Sequence, residues 1–218
     1  MPKKAKNGFA FIALALLTGW AFAQESNYQR LLVANRVSIE VPKHWQGLDI
    51  DERRNLAAAS DVLGSTSKNR LPPSHVAALA VNATPSPPGA IVRVSIISTD
   101  PLTQADLAQA LAEDRNGTMA ELRNASREEM SVLAEQMQKQ GLRLLGQEEV
   151  AIASIGGKTA IAVSYRRTSP SGPSAFRVTQ YHIPLGAEKA VITLSFRESD
   201  AIVYSQIIDY IKNSISIR

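Results

Sequence analysis

The 218-residue chain contains no cysteine. Disulfides, thiolate metal ligands and cysteine nucleophiles are therefore excluded together. Histidine is almost as scarce, with three copies at His44, His75 and His182. None stands in an H-x-x-H or H-E-x-x-H spacing, so the sequence holds no helical zinc motif. Charge of either sign is nearly absent as a net quantity. The formal +4 includes Lys3, Lys4 and Lys6, and taking those three from 24 leaves 21 Lys and Arg against 20 Asp and Glu. Near neutrality lacks the basic footprint that nucleic acid requires. No apolar run reaches the ~20 residues of a membrane-spanning helix.

What is present begins at the N-terminus. Lys3, Lys4 and Lys6 precede an apolar run from Phe9 to Leu17, and Ala21-Phe22-Ala23 supplies a small-x-small site ahead of Gln24. This is the pattern of a secretory signal peptide over residues 1–23, cleaved after Ala23. The expected product is periplasmic or secreted and does not span a membrane. With no cysteine following the site, no lipid can be attached there. A cysteine-free exported chain suits a bacterial periplasm better than a disulfide-rich extracellular space.

Residues 24–36 read as a polar lead-in. Val37-Ser38-Ile39-Glu40-Val41 alternates like a strand and ends at Pro42. A helix is expected over Asp51–Leu63, a loop over 64–75, and strands over Val76–Ala83 and Ile91–Ile97. Thr103-Gln104-Ala105-Asp106 has capping-box spacing ahead of Leu107, Ala110 and Leu111. Met119, Leu122, Met130, Leu133 and Met137 recur at helical steps, broken by Ser126, over a helix predicted at 118–140. This helix either docks on the sheet or projects from it.

The C-terminal third predicts four strands, Arg143–Ile155, Lys158–Arg167, Ala175–Ile183 and Lys189–Arg197. Gly156-Gly157, the Thr168–Ser174 loop and Pro184–Glu188 connect them as an antiparallel meander. Asp200–Ile215 closes the chain as a helix with Ser199 as N-cap and Tyr204, Ile207, Ile208, Ile211 and Ile215 on one stripe. Apolar sheet and helix faces must cover each other, which makes an α+β layered fold. One domain over 37–218, with a helical insert at about 103–140, is the simplest organisation.

The order of these elements resembles a known family. An early strand ends in Val41-Pro42-Lys43-His44-Trp45. Strands, a helical insert, the Ile155-Gly156-Gly157-Lys158 hairpin and a meander follow, and the chain closes on Ile211-Lys212-Asn213-Ser214-Ile215. Over roughly residues 35–217 it is similar to the PsbP/Mog-type α/β/α sandwiches, including DcrB-like bacterial envelope proteins. The resemblance implies an α/β/α sandwich with a largely antiparallel sheet, and a binding or assembly role without catalysis. The length of the 118–140 helix and the missing lipobox depart from it.

Candidate chemistry is sparse. No G-x-S-x-G elbow occurs. Ser154-Ile155-Gly156-Gly157-Lys158-Thr159 ends like a phosphate loop but has Ile152 where the first glycine belongs, and it joins two strands. No cofactor and no metal is expected. Charge is unevenly spread. Residues 158–187 hold Lys158, Arg166, Arg167 and Arg177 and no acid, whereas residues 113–149 hold eight acids and five bases. Arg166 or Arg167 is expected close to Arg177 at one sheet edge, a basic rim for an acidic partner, an anionic lipid headgroup or a phosphorylated glycan, or else these are scattered surface charges paired with glutamates of the 118–140 helix. Trp45 packs on the sheet or, less ordinarily, serves as a partner anchor. The expected function is binding of an envelope or exported protein. The alternative is a periplasmic carrier of a small apolar or lipid-like ligand held between the sheet and the 118–140 helix.

Overall fold

The computed structural model describes residues 27–47, 79–82, 89–139, 141–169 and 172–218. The expected signal peptide, the 51–63 helix, the 64–75 loop and His75 lie outside them. Among the described residues the first elements are strands β1 (Tyr28–Val33), β2 (Val37–Pro42) and β3 (Gln46–Gly47). Strands β4 (Leu79–Asn82) and β5 (Ala90–Leu102) follow, then helices α1 (Gln104–Glu113) and α2 (Arg115–Lys139). Four long strands come next: β6 (Leu144–Ile155), β7 (Lys158–Ser169), β8 (Gly172–Pro184) and β9 (Gly186–Arg197). A 3-10 turn at Glu198–Asp200 leads into α3 (Ala201–Ser214), and β10 (Ser216–Ile217) ends the chain.

The large sheet runs β3-β4-β5-β9-β8-β7-β6, and β1-β2-β10 form a second, small sheet. All pairings given for the two sheets are antiparallel. The fold is therefore mixed α+β, with a C-terminal meander β6–β9 and a closing helix. The meander follows from local chemistry. Gly156 and Gly157 sit at φ +58° and +77°, the left-handed pair that a two-residue hairpin needs. A Cβ on Gly156 would also lie 2.8 Å from Cγ1 of Ile217, so the turn and the C-terminus meet only because that position is glycine.

Side-chain alternation gives the large sheet two apolar faces. On one, Val92 and Val94 of β5, Ile192 and Leu194 of β9, and Ile183 of β8 pack against Ile208 and Ile211 of α3 and Val37, Ile39 and Val41 of β2. On the other, Val163 and Tyr165 of β7 and Phe176 and Val178 of β8 pack against Met119, Met130, Leu133 and Met137 of α2. The long helix thus docks on the sheet. Ser126 does not break its apolar stripe: the helix is continuous, and Ser126 is buried within the stripe.

Several expectations change. Residues 28–33 are not lead-in but an edge strand hydrogen-bonded to β2. Of β1 only Val33 is buried, so it carries no apolar alternation to read. The strands flanking the 168–174 loop extend into it, and Ser169 pairs with Gly172. Asp200, not Ser199, occupies the N-cap of α3, and it makes no side-chain cap. The Ser199 hydroxyl instead donates to the Asp200 carboxylate at 2.9 Å. The capping box at α1 is present, with Thr103 Oγ1 accepting from the Asp106 N–H and the Asp106 carboxylate accepting from the Thr103 N–H.

Candidate functional site

The predicted arginines occupy strand ends rather than a sheet edge, since β7 and β8 are interior strands and β6 is the edge. Arg166 and Arg177 stand directly opposite one another in the β7–β8 register, and Arg167 stands opposite Phe176. Alternation therefore puts Arg166 and Arg177 on the α3 face and sends Arg167 to the α2 face. Two guanidiniums side by side repel, and Glu198 offsets this. Its carboxylate accepts two hydrogen bonds from Arg166, at 2.7 and 2.6 Å. The Arg166 hydrogen bonds, and the charges of Arg166 and Arg177, hold the Glu198 carboxyl below the usual carboxylate range. This partner comes from the 3-10 turn, not from the 118–140 helix as the sequence suggested.

Arg197, which the sequence reading passed over, completes the group. It pairs opposite Phe176 in the β8–β9 register. The Phe176 ring lies under the guanidiniums of both Arg167, at 4.8 Å, and Arg197, at 5.8 Å. Arg197 also binds Asp200 at 3.1 Å. On the opposite face a cleft of about 510 Å³ opens between Arg166, Arg177, Phe196, Glu198, Ala201 and Ser205. On the same first turn of α3, Ile202 is 92% exposed and Val203 58% exposed. The helix turn whose Ala201 lines the cleft with Arg166 and Arg177 thus leaves two aliphatic side chains in water.

Trp45 is not part of any surface. It is 4% exposed and packs edge to face on Tyr204 with ring centres 6.4 Å apart. The partner-anchor reading of Trp45 is thereby overturned: it belongs to the core on the α3 face.

A second site lies at the other end of the same strands. A cleft of about 410 Å³ opens between α2 and the ends of β5, β7, β8 and β9. Leu122, Ala125, Ile161, Val163 and Pro184 supply its apolar lining, and His182, Lys189, Glu129 and Ser126 its polar part. His182 is buried, and its Nε2 has no hydrogen-bond partner among the described residues. Burial, assisted by the charge of Lys189, pushes the imidazole down to about 3, so it is neutral near pH 7. Burial also lowers Lys189, against the attraction of Glu129. Gln104 braces this end: its side chain donates to the carbonyls of Thr159 and Pro184 and accepts from the Thr159 N–H, at 3.0, 3.0 and 2.8 Å. His44 lies exposed in a turn, so the structure does not bring it together with buried His182. No group of three or more His, Cys, Asp or Glu able to hold a metal ion occurs among the described residues. No helix among them is long and apolar enough to cross a membrane.

No family model and no curated protein matches the chain. Among solved structures it is similar to the cyanobacterial PsbP protein of Synechocystis, with TM-score 0.49, 13% identity, and 93% of this chain and 99% of that one covered. It is also similar to LpqN of Mycobacterium tuberculosis, a protein involved in cell envelope biogenesis, with TM-score 0.39, 13% identity, and 89% and 87% covered. A third is a protein from Bacteroides thetaiotaomicron, with TM-score 0.45, 8% identity, and 88% of this chain covered but only 49% of that one. This chain therefore spans about half the length of the Bacteroides protein. A PsbP protein is thus among the similar structures, as the sequence resemblance implied. At TM-scores below 0.5 these likenesses leave the functional argument to the side chains of this chain.

Proposed function

We propose that this is an exported binding protein of the bacterial cell envelope, acting through contact with a protein partner and not by catalysis. The export half rests on the basic, apolar and small-residue order of the first 23 residues. The binding half rests on one observation, the exposure of Ile202 and Val203 on the helix whose Ala201 and Ser205 line a cleft with Arg166 and Arg177. Aliphatic side chains left in water next to a charged cleft have the composition of a contact surface. In the cleft Arg166 and Arg177 outnumber Glu198, so the complementary surface is acidic, with a hollow for the two aliphatic side chains.

The test is cross-linking and affinity capture of the tagged protein from its own envelope, read by mass spectrometry. Support requires an acidic partner whose capture falls with salt and drops at least about tenfold in both Ile202→Asp and Arg177→Glu, the loss expected when a central contact is removed. Capture indifferent to both variants overturns the surface. Binding of the purified protein to anionic vesicles with the same two sensitivities replaces the protein partner with a lipid surface.

A further inference from the structure

The cleft between α2 and the sheet lies apart from the arginine surface, at the opposite end of the strands. Its volume of about 410 Å³ falls in the ~300–1,000 Å³ range of small-molecule pockets, which are mostly apolar with a few placed polar groups. The lining has that character. Leu122 and Ala125 come from the helix, Ile161, Val163 and Pro184 from the sheet, and the polar groups gather around His182.

His182 identifies the chemistry. It is nine-tenths buried, and its Nε2 lacks a partner among the described residues although it sits in a cleft wall. Buried polar groups are ordinarily satisfied. A guest that reaches this nitrogen would supply the missing bond. The imidazole is neutral, so it makes one hydrogen bond there as donor or acceptor according to tautomer. A hydroxyl serves either tautomer, while a carbonyl oxygen serves one.

The charges around the cleft decide what else the guest carries. Lys189 faces Glu129 across it, and Asp100 lies at its rim. An anionic head would gain Lys189 but meet two carboxylates, and a cationic head would meet Lys189. Either would also lose its hydration on entering an apolar cleft. We infer that the cleft binds an uncharged amphiphile, an aliphatic body lying between α2 and β7 with a hydroxyl head on His182 Nε2.

The test uses the purified protein and four probes of equal chain length: decanol, decane, decanoate and decylamine. Calorimetric titration is expected to rank decanol first, with both charged probes at least about tenfold weaker. Decanol is expected to shift the His182 ring nitrogen resonances, and decane to shift them far less. His182→Phe keeps an aromatic ring and removes both ring nitrogens, Nε2 among them. It is expected to lower decanol affinity about tenfold and leave decane unchanged. Should that variant misfold, Ala125→Trp, which changes an exposed residue at the mouth, is expected to abolish binding of all four. Decanoate or decylamine binding as tightly as decanol overturns the uncharged head. Decanol binding without a His182 shift overturns the head position, and no uptake of any probe overturns the site. None of these outcomes bears on the arginine surface.

Discussion

His182 shows how much one residue's surroundings can do. An ordinary histidine takes its proton near pH 6.5, whereas buried His182 is pushed down to about 3. Between those values the unfolded chain binds the additional proton, so this residue makes stability fall as pH falls through the window. The slope approaches ~1.4 kcal/mol per pH unit for one full proton. Lys189 and Glu129 line the same cleft as the ring, so a variant, not the pH profile alone, assigns the effect to His182. Urea midpoints at about pH 7 and about pH 4 are expected to lie closer together in His182→Gln than in the parent. An equal drop in both would place the acid sensitivity elsewhere. Part of this residue was legible, because His182 shares a strand face with Val178 and Gln180. Its burial was not, because which helix covers that face is a long-range matter. Trp45 is the reverse case, where a lone tryptophan after a proline turn suits both a core and a contact, and only packing on Tyr204 decides.

At the scale of elements, the hairpins and helices were the readable part. The glycine pair of the β6–β7 turn and the capping box of α1 are each written within a few residues, and the stripe of α2 within the single run Met119–Met137. The Gly156 turn offers a direct check. Gly156→Ala sets a side chain at φ +58° and 2.8 Å from Ile217 Cγ1. It is expected to destabilise the fold by roughly 1–3 kcal/mol through backbone strain and overpacking. Gly157→Ala, at φ +77° with no atom within 4 Å, isolates the strain component and is expected to cost less. Thermal midpoints of the two variants compare them, and equal losses would show that the Ile217 contact contributes nothing. The small sheet was the unreadable part. β1 is an exposed edge strand and β10 has two residues, so neither has a periodicity of its own. Both exist because β2 offers them hydrogen bonds.

Across the whole molecule, one sheet serves two cores, with α3 and the small sheet on one side and α2 on the other. Damage to one side should therefore be felt on the other. Leu133 of α2 is 1% exposed, and Leu133→Ala is expected to cost ~2–5 kcal/mol by cavity formation. Trp45 lies in the opposite core, so its emission is expected to report the same lowered midpoint as far-UV circular dichroism. A Trp45 midpoint that stays put would mean that the α2 layer melts separately. The same geometry makes Trp45 a poor reporter of ligands in the α2 cleft, from which the sheet separates it.

The sequence by itself determined what depends on neighbours in the chain: the strand and helix periods, the turns, the meander they enforce, and the α+β layering that two-faced elements require. The tertiary structure alone decided what depends on residues far apart. It placed Glu198 rather than a glutamate of α2 on Arg166, divided the arginines between two faces, added Arg197 beside Phe176, and brought Ser126 and Glu129 of α2 to His182 and Lys189 of the sheet. The physical reason is that local structure answers to backbone geometry and apolar spacing, both written in consecutive residues. A site is made by side chains whose meeting depends on register, strand order and the docking of a helix, and no stretch of consecutive residues encodes these alone.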